Sequence, residues 1–265
     1  MRNTASYFLF NSLMFGVVVG IFFALAGGFE KLHPLTLILG ILFGVLFIVT
    51  IFVYMKAMET GPLSYTALFY SFGLIIPVLL GILLWNEKAN FLQIIGLILL
   101  LITFYIGSRS TGKSEKGFNI KWLMLCISAF IGNGGLMALS KYHQIRLPGQ
   151  QVTEFLILSF SISSLLSLIL FLWYYIKERQ TVSHLKTFGF IIILILAAVT
   201  TAFGNQLALI LASRVPAIIQ FPSINGGVVM FSSILSWAIF KEKLDRNGVL
   251  GIVLGLAAII LLSIR

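Results

Sequence analysis

Residues 84–102 read LWNEKANFLQIIGLILLLI, and residues 239–257 read IFKEKLDRNGVLGIVLGLA. In each, Glu-Lys closes one apolar run, and a glycine follows nine residues after the glutamate, inside the next run. Glu87 and Gly96 thus correspond to Glu242 and Gly251. The same offset carries Ala57 onto Ala212 and Tyr70 onto Asn225. Further upstream the match is looser, YFLFNSLMFG (7–16) against FLILSFSISS (155–164). Residues 1–112 therefore form one copy of a repeat and residues 117–265 the other, the second carrying one additional apolar run at its start.

The runs decide the environment. Of 265 residues, 59% are hydrophobic and 10% charged, where a water-soluble domain carries about 25% charged residues. Nine stretches reach or approach the roughly 20 apolar residues that cross a bilayer core: about 7–27, 36–58, 63–85, 91–108, 120–140, 154–177, 186–208, 217–240 and 248–264. Lipid offers unpaired backbone groups no partner, so each is expected to be a helix. A β-barrel would need strands of about ten residues with alternating polarity. The longest polar linker, residues 109–119 (RSTGKSEKGFN), leaves no room for a soluble domain. The fold class is an all-α polytopic membrane protein, four spans in the first copy and five in the second. A complete unit of five spans is odd, so its two copies insert with opposite topology. Trp85, Trp122 and Trp173 fall near span ends, where interfacial anchors sit.

Charge and cysteine exclude other classes. The net charge of +10 lies between apolar runs, which suits lipid headgroups and loops. No basic stripe with interleaved aromatics supports nucleic-acid binding. Cys126 stands alone in an apolar run and reads as a small buried hydrophobe. The N-terminus carries one Arg before its apolar stretch and no A-x-A site, so it reads as a retained span.

The doubled order of an apolar helix with a mid-helix Pro, a closing acid and a Gly-bearing helix resembles the drug/metabolite transporter superfamily, in its ten-helix EamA type. GPLSYTALFYSFGLIIPVLLGILLWNEK with FLQIIGLILL carries the resemblance in the first copy. VPAIIQFPSINGGVVMFSSILSWAIFKEK with GVLGIVLGLA carries it in the second. The resemblance implies export or import of small metabolites such as amino acids. It also implies ten spans, and this sequence begins where the second would start, so the first helix is expected to be absent. Orientation is contested. Alternate sides of nine spans carry 12 and 6 Lys and Arg, the larger number with the N-terminus, which places the 109–119 loop in the cytoplasm. The family's usual arrangement places it outside.

Transport sites need polar groups and backbone irregularities at membrane depth. Gln220, Ser223 and Asn225 surround Pro222 and precede Gly226 and Gly227, which loosen a helix and could expose carbonyls. The counterpart in the first copy holds Tyr70, Ser71 and Pro77. Asn133 lies mid-span in a Gly-rich stretch, and Asn205 with Gln206 lies toward the end of the seventh span. Asn11 sits early in the first. Each amide is a solute contact or a bridge between helices. The serines 159, 161, 163, 164 and 167 read as small-residue packing. Gly16–Gly20, Gly40–Gly44 and Gly251–Gly255 have GxxxG spacing, which permits close helix approach and a homodimer.

Absences narrow the mechanism. All eight Asp and Glu are at span ends or in loops, so a central carboxylate that exchanges a proton for a cation is not expected, and a zwitterionic or neutral solute is. Glu154 and Lys141 are the coupling or gating candidates. Lys141 closes the fifth span and either meets a carboxylate or snorkels, and Lys56 and Arg214 read as snorkelling. Glu87 and Glu242 cap short loops, with gating pairs as the alternative. His33, His143 and His184 lie at or beyond span ends. No H-E-x-x-H, G-x-S-x-G or P-loop pattern occurs, so neither an enzyme nor a cofactor is expected. The function this supports is secondary transport of a small solute by a multi-pass protein of a bacterial or archaeal plasma membrane, with solute and lipids as its partners. The alternative is a lipid-carrier flippase or a non-transporting assembly protein.

Overall fold

The computed structural model describes residues 4–26, 28, 31–110, 119–178, 188–240 and 246–264. Glu242 and His184 lie outside these. Ten helices occur among the described residues. They are α1 (Thr4–Leu25), α2 (Pro34–Thr60), α3 (Leu63–Phe72), α4 (Ile75–Leu84), α5 (Phe91–Ser110), α6 (Ile120–Arg146), α7 (Val152–Glu178), α8 (Phe188–Ala212), α9 (Ala217–Phe240) and α10 (Arg246–Ser263). Among the described residues, six helical segments of 18 residues or more are apolar enough to cross a membrane, and Tyr65–Leu84, which joins α3 to α4, is one of them. Shorter apolar helices cover Phe91–Ile106 and Val249–Ser263. The protein is a multi-pass membrane protein.

The break between α3 and α4 has a local cause. Pro77 has no N–H for the carbonyl of Gly73, four residues back, and its ring would press on that carbonyl. The chain answers with tighter bonds: Gly73 N donates to Tyr70 O at 3.1 Å, and Ile76 N to Gly73 O at 3.1 Å. The break expected at Pro222, Gly226 and Gly227 is not there, and α9 runs unbroken through all three. Pro222 stands inside α9, five residues after its start, where it forgoes one helix bond and the helix continues on both sides. Gly226 packs instead, since a Cβ there would lie 2.9 Å from Leu100 Cδ1.

Contacts divide the chain into two compact units. One comprises Met1–Val49 and Tyr142–Ser213, the other Thr50–Lys141 and Arg214–Arg265. Each unit draws on both halves of the sequence. In the first, α1 packs along α7. Phe8 stacks on Tyr174 at 5.9 Å, Ser164 Oγ donates to Ser12 O at 2.8 Å, and Phe22 stacks on Phe160 at 6.5 Å. Numbers rise along one helix as they fall along the other, so the pair is antiparallel. In the second unit α5 packs along α10 in the same sense. Asn90 Nδ2 and Gln93 Nε2 reach Ile264 O at the start of α5, and Gly255 faces Thr103 further along. In the alignment of the two copies, α1 corresponds to α7 and α5 to α10.

Packing uses the small residues. A Cβ on Gly44 would meet Ser159 O at 2.6 Å and Ile162 at 2.7 Å, so Gly40–Gly44 seats α2 against α7. Ser163 Oγ donates to Ser159 O and Gly44 O, as helix-bridging serines do. Trp122 is not an interfacial anchor. It is fully buried in the second unit, with Ala57 and Cys126, because its Nε1–H finds the Thr66 hydroxyl at 2.9 Å.

Candidate functional site

The second unit gathers polar groups around the α3–α4 break. Tyr70 lies three residues before Gly73, and its carbonyl accepts Asn133 Nδ2 at 2.9 Å. Its ring lies on that of Tyr54, centroids 4.4 Å apart at 37°. Ser71 O accepts Leu74 N across the break at 3.4 Å. Three glycines bring backbones this close. A Cβ on Gly134 would lie 2.6 Å from Gly73 O, one on Gly73 would lie 3.0 Å from Phe130 O, and one on Gly132 would collide with the Thr50 hydroxyl. That hydroxyl is buried with no hydrogen-bond partner among the described residues. Asn133 is halfway along α6, so the cluster lies at mid-span.

The structure thus brings together Tyr70, Ser71 and Asn133, and adds Thr50 and Tyr54 from α2. Neither of the latter was singled out in the sequence, where Thr50 and Tyr54 stand in an apolar run with nothing local to mark them. Their i, i+4 spacing places them on one helix face, the one signal available. Gln220, Ser223 and Asn225 stand together on the first turns of α9, and Gln220 is buried. Asn225 Nδ2 donates to Phe221 O at 2.9 Å, one turn back. Asn205 makes the same kind of bond, to Thr201 O at 2.9 Å, and with Gln206 it belongs to the other unit. So do Asn11, which is buried, and Glu154, in the first turn of α7.

A charged cluster closes one end of the second unit. α6 continues past Lys141 to Arg146, so this lysine lies inside the helix and does not snorkel. Its Nζ is 3.0 Å from Glu87 Oε1, and the two side chains are only 5% and 13% exposed. Lys141 Nζ also donates to Val215 O at 2.6 Å. Glu87 Oε2 accepts from Ala217 N, the first residue of α9, at 2.6 Å. A carboxylate at a helix N-terminus and an ammonium on a carbonyl each meet the opposite partial charge. Gly81 makes room, because a Cβ there would lie 2.6 Å from Glu87 Oε2. Beside this cluster, Lys88, Ala89, Asn90, Gln93, Pro216 and Ile219 line an open cavity of about 380 Å³. Lys56 pairs with Glu59 at 2.8 Å, half-exposed, and Arg214 is exposed.

His143 lies in the last turn of α6, at the end of its span, and is fully buried in the first unit. Gln144 Oε1 accepts Gly149 N at 3.0 Å, which turns its amide N–H to His143 Nδ1 at 2.9 Å. Nδ1 is then an acceptor, and Nε2–H donates to the Thr36 hydroxyl at 3.0 Å.

A profile of the EamA-like transporter family matches residues 120–264. An uncharacterised protein of Haemophilus influenzae is 25% identical over 226 residues, covering 85% of this chain and 74% of its own. A protein of known crystal structure has the same fold, with a TM-score of 0.76 at 15% identity over 99% of this chain and 91% of that one.

Proposed function

The chain belongs to the EamA-like transporter family and is a membrane transporter of small solutes, and we propose that it carries a zwitterionic or neutral solute of the amino-acid kind by alternating access. The membrane is the plasma membrane of a bacterium or archaeon. The two repeats, 1–112 and 117–265, serve as the two halves of the cycle. The observation that supports this reading is the interrupted helix at Gly73–Leu74, faced at mid-span by the Asn133 amide, the Tyr54–Tyr70 ring pair and the buried Thr50 hydroxyl. An interrupted helix with polar groups at membrane depth is how transporters hold a small polar solute without charge of their own. The partners at this site are dipoles and ring faces, which suit a solute with no net charge. Ser71, Gln220, Ser223, Asn225, Asn205 and Gln206 are further candidate contacts.

The test is uptake of a panel of amino acids and neutral metabolites into liposomes holding the purified protein, with and without a pH gradient. Asn133→Ala is expected to lower the uptake rate about tenfold or more, the loss of one hydrogen bond of about 1.4 kcal/mol in the transition state. Tyr70→Phe, which keeps the ring pair, is expected to lose less. Wild-type uptake by both variants would remove the site from the mechanism. Lipid scrambling in place of solute uptake would identify a flippase.

A further inference from the structure

We propose that Glu87 and Lys141 form a latch on the start of α9, wired by polarity to the backbone on both sides of Pro216, which opens in each transport step. The proposal rests on the transporter reading above and adds to it a pair of positioning residues remote from mid-span.

Four groups close a ring. The Lys141 ammonium holds the Glu87 carboxylate at 3.0 Å and the Val215 carbonyl at 2.6 Å, and the carboxylate holds the Ala217 N–H at 2.6 Å. Val215 and Ala217 flank Pro216, so the ring grips the turn that leads into α9. Gln220 and Asn225 follow on the first turns of that helix, and its starting position sets theirs. The ring has a fixed sense. A positive group at 87 would face the positive end of α9, and a negative group at 141 would face a carbonyl oxygen.

The same ring is suited to opening. Its bonds are between side chains and the turn, so parting them breaks no bond inside a helix. Glu87 follows Asn86, held at φ 54°, in a short turn fixed by Glu87 N donating to Gly81 O at 2.9 Å. The cavity lined by Lys88 and Pro216 lies alongside. A buried pair is held in place by the cost of leaving either charge dry and alone. Water arriving through that cavity removes the cost and lets the charges part.

The test is the labelling rate of Ala217→Cys, in a Cys126→Ala background, by a membrane-impermeant maleimide in proteoliposomes. Ala217 is fully buried, so the parent is expected to label slowly. Glu87→Gln is expected to raise the rate by a factor on the order of 100, the equivalent of the roughly 3 kcal/mol lost when one partner of a buried pair is removed. Lys141→Arg, which keeps charge and donors, is expected to stay slow. The exchange Glu87→Lys with Lys141→Glu is expected to label as fast as Glu87→Gln, because it inverts the sense of the ring. A parent rate in Glu87→Gln, or slow labelling restored by the exchange, would overturn the latch. A solute that the parent takes up is expected to raise its labelling rate. Uptake without any rise would remove the latch from the cycle, and no uptake by the parent would refute the transporter reading alone.

Discussion

Helix α6 holds two turns of the chain, one near each end, and holds them by different chemistry. At its start, Asn119 Nδ2 donates to Thr60 O at 3.3 Å, and Trp122 covers Gly61 and donates to Thr66. Thr66 in turn donates to Pro62 O at 2.8 Å. Near its far end, Lys141 donates to Val215 O and Glu87 caps Ala217. Thr60 corresponds to Val215, and Pro62 to Ala217, at the repeat offset that carries Glu87 onto Glu242. The same carbonyl and the same helix start are therefore served twice, once by neutral donors and an indole, once by a buried ion pair. A neutral bond loses little whether dry or wet, whereas a buried pair depends steeply on whether water reaches it. On the latch proposal the neutral turn stays shut and the charged one responds.

Mutation can break or sharpen this contrast. The largest effect is expected from Lys141→Met, which strands the Glu87 carboxylate and is expected to cost about 3–5 kcal/mol, measured as resistance to unfolding by SDS in mixed micelles. Gly81→Ala comes next. Its methyl group meets the Glu87 carboxylate and Ala217 Cβ, and about 1–3 kcal/mol is expected from the forced shift, checked by the same titration and by faster labelling at position 217. At the neutral turn, Trp122→Phe removes one hydrogen bond and part of a buried ring, expected to cost about 1–2 kcal/mol. The smallest effect belongs to Asn119→Ala, about 1 kcal/mol or less. It removes the exposed bond to Thr60 and the cap on Trp122 N, which Asn119 Oδ1 accepts at 2.7 Å. Equal losses for Lys141→Met and Trp122→Phe would erase the distinction between the two turns.

Much of the architecture was legible in the chain, because a span is a local object. Each backbone bond of a helix closes within four residues, and hydrophobicity over about 20 residues decides whether lipid accepts it. The predicted 91–108 and 217–240 accordingly coincide with Phe91–Ser110 and Ala217–Phe240 within two residues at each end, and the predicted 63–85 is covered by α3 and α4 together. The candidate site was legible in part. Tyr70 and Asn133 stand out as polar groups in apolar runs, but nothing near either residue says that they meet. Thr50 and Tyr54 carry only their i, i+4 spacing. Pro77 and Pro222 look alike in sequence, yet only the first interrupts its helix, since Gly73 and Gly134 let α6 fill the gap on one side.

The sequence by itself determined the nine apolar runs, the repeat that joins Glu87 to Glu242, and the lack of acids inside the spans. Composition and spacing along a single chain are sufficient for each of these. Only the tertiary structure decided that Lys141 is paired and not snorkelled, that Trp122 is buried, and that Glu87 caps a helix beginning 130 residues later. Those outcomes depend on which groups are left dry together once the helices pack. Burial makes a charge or an indole N–H seek a partner, and distance along the chain has no say in which one it finds.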